Sequence, residues 1–128
     1  MIGAASNLAL ISLVGLAGCA GDWSRSYERW QAYQGNPDNP YFKWAHCIGE
    51  RSRHYLESQW APDESADVPR GSRSQLFTHV LADCRGHMSG PAWESLTDRQ
   101  VRRLIDDSWQ AFKSVDAQIM SMRDAETI

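Results

Sequence analysis

Histidine and acidic residues recur at helical spacing in two short segments of the chain, and together they contain all of its histidines. The first segment, HCIGERSRH, carries His46, Glu50 and His54. The second, HVLADCRGH, carries His79, Asp83 and His87. Side chains four residues apart share one helix face, and imidazole and carboxylate groups are ligands for Zn²⁺ and Cu²⁺. The pattern therefore raises the hypothesis of a metal site.

Helical geometry places the first segment on a solvent-facing surface. Successive residues of an α-helix are about 100° apart. If the apolar face of the surrounding helix is centred on Tyr41, Glu50 lies directly opposite, and His46 and His54 lie about 40° to either side of Glu50. A polar stripe that points away from the core is typical of an ordinary surface helix.

The amino-terminal segment, residues 1–19, has no charged side chain. Its apolar run from Leu8 to Ala17 is too short to cross a bilayer, which takes roughly 20 residues. This length and the small residues that follow are typical of a secretory signal, although the basic residues that usually begin such a signal are missing. A wrongly chosen start codon would explain their absence.

The end of this segment, Leu16-Ala17-Gly18-Cys19, resembles the lipobox of bacterial lipoproteins. The resemblance implies cleavage before Cys19, a diacylglyceryl group on its thiol, and an acyl chain such as palmitate on the new amino group. The next residue is Ala20 rather than aspartate, which is similar to the outer-membrane sorting class. We therefore expect a lipid anchor on the periplasmic face of the outer membrane. The alternatives are a plain cleaved signal and a chance apolar start.

The lipobox also indicates which cysteines can form a disulfide. It predicts a signal peptide at residues 1–18 and a single helical periplasmic domain at residues 19–128. Once Cys19 is lipidated, only Cys47 and Cys84 remain, and the oxidising periplasm favours a disulfide between them. The closed loop of about 37 residues would contribute roughly 3–4 kcal/mol by restricting the unfolded chain.

A bond between Cys47 and Cys84 would make the second and third helices antiparallel neighbours. That register brings together only part of the two histidine segments, as a surface cluster of His46, Glu50, Asp83 and His87. His54 lies two turns away. We predict no resident metal and no cofactor, and we keep this cluster as the site of an alternative function, a periplasmic metal-binding module.

Hydrophobic periodicity predicts an all-α fold, a small bundle of about four helices. The first helix spans residues 22–35, with an aromatic stripe that we assign to the core: Trp23, Tyr27, Trp30 and Tyr33. The second and third span about residues 41–60 and 72–85, and a Pro-, Gly- and acid-rich loop at residues 61–71 separates them.

The fourth helix has the clearest signals. Thr97 and Gln100 form a capping box at its start. From Val101 to Met122, stripe residues recur at alternating intervals of four and three, with Ser108 as the one polar member. The other helices are shorter, so we expect its last turns to overhang the bundle.

Composition and motifs exclude several functions. The chain has 128 residues, enough for one domain, and its net charge of −3 predicts no nucleic-acid partner. It contains no CxxC or CxxCH motif, no Gly-rich phosphate loop and no GxSxG nucleophile motif. The acidic pairs Asp63-Glu64 and Asp106-Asp107 are adjacent in sequence and cannot face each other on a helix. We predict no catalytic residue and no enzyme, with an envelope enzyme or enzyme inhibitor as the least supported alternative.

These observations favour a protein-interaction or assembly module of the cell envelope, with an envelope protein as partner. Type II secretion pilotins look similar in architecture, with a short precursor, a lipobox, compact helices, one disulfide and a groove for a partner helix, although no pilotin residue motif is matched. A pilotin-like role implies an apolar groove. The candidate lining residues lie off the main stripes, unless they complete the core: Trp60, Trp93, Trp109 and Met120.

Overall fold

The structure, a computed structural model, describes residues 17–60 and 69–126, with side chains from Arg25 onward. These ranges contain α-helices and no β-strand, which confirms the all-α bundle. The helices are α1 (Ala17–Gly35), α2 (Phe42–Ser58), α3 (Arg73–Cys84), α4 (Pro91–Glu94) and α5 (Asp98–Glu126), and a 3₁₀ turn, Arg85–His87, follows α3. The predicted signal segment up to residue 16 and residues 61–68 of the predicted loop lie outside the described residues.

Capping boxes begin both α3 and α5. The Thr97 N–H donates to Gln100 Oε1 at 2.8 Å, and the Gln100 N–H donates to Thr97 Oγ1 at 3.1 Å, as predicted. Ser72 and Gln75 form the same reciprocal pair at the start of α3. Each box satisfies two backbone groups at the cap, and so fixes where the helix starts.

The disulfide confirms the predicted register of α2 and α3. Cys47 and Cys84 are bonded, with their Cα atoms 5.8 Å apart. Further along, Arg51 pairs with Asp83. The partner numbers fall as the α2 numbers rise, so the two helices run antiparallel.

Two aromatic clusters fill much of the core. The larger is a closed ring of edge-to-face contacts that joins α1, α2, α4 and the turn between α1 and α2, with neighbouring centroids 5.1 to 5.8 Å apart: Trp30, Tyr33, Tyr41, Trp93 and Trp44. The smaller cluster joins α3 to α5 through Phe77, Trp109 and Phe112. Such contacts fix ring orientation as well as burying area.

Two predicted core positions are instead exposed. Tyr27 is 54% exposed and lines the three-helix groove described below, while Trp30 and Tyr33 are buried as predicted. Met122 is 52% exposed, since α5 extends beyond the shorter helices as expected. The side chain of Trp23 lies outside the described residues.

Candidate functional site

The four residues of the predicted histidine cluster are not assembled into one site. His46 Nε2 lies 3.3 Å from Glu50 Oε1, and both side chains are exposed. His87 lies in the 3₁₀ turn and is also exposed. Nowhere in residues 17–60 and 69–126 do three or more His, Cys, Asp or Glu side chains group as metal ligands would.

Asp83 forms part of a different contact, between α2 and α3. Arg51 Nε donates to Asp83 Oδ2 at 3.0 Å, and the Tyr55 hydroxyl donates to the same oxygen. Burial and the hydrogen bond to Asp83 raise the pKa of Tyr55. The tyrosine therefore stays protonated as a donor, and the three side chains link the helices beyond the disulfide.

The described residues form a groove between α1, α2 and α5, which we call the three-helix groove. Its volume is about 560 Å³. It is lined by Ser26, Tyr27, Trp30, Gln31 and Gln34 of α1, by His46, Gly49, Glu50 and Arg53 of α2, and by Asp107, Gln110, Ala111, Ser114, Val115 and Gln118 of α5. The spacing of three and four residues in each set means that one face of each helix lines the groove.

A buried carboxylate joins two walls of this groove. The Asp107 side chain is 1% exposed and accepts hydrogen bonds from three residues of α1. Ser26 Oγ donates at 2.8 Å, the Tyr33 hydroxyl at 2.9 Å, and Arg29 through Nε at 2.8 Å and Nη2 at 2.7 Å. We call this arrangement the Asp107 clamp. Both carboxylate oxygens are engaged, so Asp107 holds α1 against α5.

The clamp raises the pKa values of two of its donors, Tyr33 and Arg29. Burial, followed by the nearby Asp107 charge, raises the pKa of Tyr33. The hydrogen bond to Asp107 raises the pKa of Arg29, against the opposing effect of burial. Both donors are thus fixed in their protonated forms across the physiological range.

The lining of the groove combines apolar side chains with polar edges. Trp30, Ala111 and Val115 supply apolar surface, and Gly49 adds no side chain. Four glutamines supply amide donors and acceptors: Gln31, Gln34, Gln110 and Gln118. A mixed surface of this kind suits an amphipathic peptide whose apolar side faces inward.

None of the four predicted partner-binding residues lines the groove. Trp93 belongs to the buried aromatic ring, and Trp109 is partly buried against Phe77 and Phe112. Trp60 and Met120 are exposed, and the Arg123 guanidinium lies 4.9 Å from the centre of the Trp60 ring. The predicted residues were chosen because they lie off the main apolar stripes, and this criterion did not identify the residues that line the three-helix groove.

The clamp was missed because its members belong to different helices. In the sequence, Asp106-Asp107 is evident only as an adjacent acidic pair that cannot act as an opposed acid and base. A usable signal lay in α1, where Ser26, Arg29 and Tyr33 are spaced three and four residues apart and so place three donors on one helix face.

No protein-family model, curated protein or solved structure matches this chain. Among the described helices, none is both long enough and apolar enough to cross a bilayer.

Proposed function

We propose that this chain is an outer-membrane lipoprotein of the cell envelope, and that its helical domain binds an amphipathic helix of an envelope protein in the three-helix groove. The observation that carries the proposal is the groove itself. Its lining on α5 runs from Asp107 to Gln118, roughly 16 Å at 1.5 Å per residue. That length accommodates about three turns of a partner helix.

The small residues in the groove support close approach by a partner. Gly49, Ala111 and Ser114 leave room beside Trp30 and Val115. A methyl group added at Gly49 would meet only the Gln34 side-chain amide, at 3.3 Å. The rim also offers both charge signs through Glu50 and Arg53, so a partner helix with polar flanks finds ionic as well as amide contacts. A pilotin-like secretion accessory protein is one version of this proposal.

The anchoring half of the proposal is supported by the lipobox at Cys19 and by the disulfide, a bond that persists in oxidising compartments. Metabolic labelling with a clickable palmitate analogue tests it. We expect label on the parent protein and none on Cys19→Ser. The matched control is Cys47→Ser with Cys84→Ser, which should keep the label. Label retained by Cys19→Ser would contradict the anchor.

The binding half is tested by photo-crosslinking in intact envelopes. A photoreactive amino acid at Gln34 or Gln118, on the groove, should crosslink to one envelope protein, whereas the same amino acid at Arg85 should not. Gly49→Leu should abolish the crosslink, because the added side chain fills the groove. The fold should be kept, because the atom that the new side chain meets first belongs to the flexible Gln34 side chain.

Identification of the crosslinked segment completes the test. A synthetic peptide of that segment should bind the purified protein as a helix and should not bind Gly49→Leu. Equal crosslinking from Arg85 and from the groove, or a peptide that binds both proteins equally, would overturn the assignment of the groove.

A further inference from the structure

Arginine side chains line a second concave surface beside the Asp107 clamp. This arginine pocket has a volume of about 500 Å³ and is lined by Arg29 of α1 and by Arg99, Arg102, Arg103 and Asp106 of α5. The chain as a whole carries a net charge of −3, so the pocket is a local reversal of sign.

The side chains of the three pocket arginines of α5, Arg99, Arg102 and Arg103, are exposed and have no hydrogen-bonding or ion-pair partner within residues 17–60 and 69–126. Asp106 is likewise without an ion pair there, although it lies three and four residues after Arg103 and Arg102. Elsewhere in the same ranges Arg29, Arg51, Arg53, Arg73 and Arg123 pair with carboxylates. Arg25 and Arg85, outside the pocket, also have no side-chain partner there, so three of the five unpaired arginines line this pocket.

Arg29 is held in place on one side of this pocket. Its Nε and Nη2 atoms donate to Asp107, while Nη1 makes no hydrogen bond to the described residues. A guanidinium fixed by two of its nitrogens retains donors on the third without having to be ordered on binding. The clamp therefore presents a preorganised donor to the pocket.

The position along α5 adds to the positive potential. Arg99 lies in the first turn of α5, where the helix dipole is positive and a like charge is unfavourable, and Arg102 and Arg103 follow in the second turn. A bound anion would relieve this repulsion. The location therefore favours an anionic ligand.

We propose that the arginine pocket binds a phosphate group. One guanidinium fork suffices for one carboxylate, as Arg29 shows with Asp107. A phosphate diester presents two free oxygens and one charge, a phosphate monoester presents three free oxygens and close to two charges, and guanidinium groups match either through charge-assisted, bidentate bonds. The phosphate belongs either to a soluble phosphorylated molecule or to a phospholipid headgroup. This proposal does not depend on the three-helix groove.

Calorimetric titration of the full chain, purified from envelopes in a non-ionic detergent, tests the proposal. Inorganic pyrophosphate represents the soluble source. Dihexanoyl phosphatidylglycerol represents the headgroup source. Dihexanoyl phosphatidylcholine is the comparison, because its phosphate charge is balanced by a trimethylammonium group and its net charge is zero. We expect saturable binding of pyrophosphate, of phosphatidylglycerol or of both, and the ligand that binds identifies the source. Binding of neither would overturn the proposal.

The decisive variant replaces Arg99, Arg102 and Arg103 together with Gln. Its affinity for the ligand that binds should fall at least roughly tenfold, since hydrogen bonds to charged groups are lost. The control replaces Lys43, Arg85 and Arg123 with Gln, which removes the same total charge outside the pocket. Its affinity should change less than about threefold, because distant surface charges are screened by salt.

A fall of equal size in both variants would mean attraction by net charge alone and would overturn the site. Unchanged thermal unfolding in both variants excludes loss of fold as the cause. Arg99, Arg102 and Arg103 are exposed and make no side-chain hydrogen bond or ion pair to the described residues, so the variant is expected to fold.

Discussion

Replacing Asp107 by Asn is the sharpest test of the clamp. The substitution keeps an acceptor oxygen for Ser26 or Tyr33, but it removes the charge that holds Arg29. Hydrogen bonds to charged groups contribute roughly 1.5–3 kcal/mol each. The Arg29 side chain is 35% exposed, so water screens its interaction and compensates part of the loss. We expect the free energy of unfolding to fall by about 2 kcal/mol.

Urea unfolding followed by far-UV circular dichroism, with the disulfide intact, measures this loss. Asp106→Asn is the matched control, because it removes the same charge from the neighbouring, exposed position. Its free energy of unfolding should stay within about 0.5 kcal/mol of the parent value. If the slope of the free energy of unfolding against urea concentration is unchanged, both variants expose the same surface on unfolding as the parent.

A double-mutant cycle decides whether the loss of stability comes from the interaction between Asp107 and Arg29. Arg29→Met leaves a carboxylate that is 1% exposed without its cation, and removal of one member of a buried pair costs about 3–5 kcal/mol, less here because Arg29 is partly solvated. The double variant should therefore lose at least 1 kcal/mol less than the sum of the two single losses. Losses that add to within about 0.5 kcal/mol would refute the clamp as a coupled unit.

Three further outcomes follow from the same contacts. Tyr33→Phe should destabilise the protein at neutral pH, and its deficit relative to the parent should shrink above about pH 10, where an unfolded tyrosine ionises; a constant deficit would contradict the raised pKa of Tyr33 in the native state. The deficit shrinks because the raised pKa keeps Tyr33 protonated in the native state. The stability that this contributes to the parent is lost as the unfolded tyrosine ionises at high pH. Replacing Cys47 and Cys84 by Ala should lower the free energy of unfolding by roughly 3–4 kcal/mol in urea, and a loss below 1 kcal/mol would contradict the entropic estimate. Gly90→Ala should lower the melting temperature by several degrees, because the φ of 106° at this position is strained for alanine, and an unchanged melting temperature would argue against that conformation.

The helices were predictable wherever signals repeat over several turns. The Thr97 capping box predicted where α5 starts, and the long stripe predicted that its last turns extend beyond the bundle. Both features are found. Helix α4, Pro91–Glu94, was missed because four residues cannot display a helical period. Its signals are local instead: Gly90 at positive φ, and a proline in the first turn.

The groove and the clamp were not predictable by the same means. Periodicity shows which face of one helix is apolar, but it does not show which polar flank meets donors from another helix. Asp107 lies beside Ser108 at the edge of the α5 stripe, a position at which acidic residues are usually exposed. Tyr27 gives the opposite case, an aromatic residue at core spacing that lines a groove.

Helix α1 carries the predicted lipid anchor at Cys19, yet no disulfide links it to the bundle, since the bond joins α2 to α3. Within the described residues, α1 is held by the Asp107 clamp and by the ring contacts of Trp30 and Tyr33. Apolar contacts tolerate small slips of one helix along another. Four hydrogen bonds to one buried carboxylate are satisfied in one register only. We therefore interpret burial of Asp107 as a device that fixes the register of α1, and with it the shape of the groove.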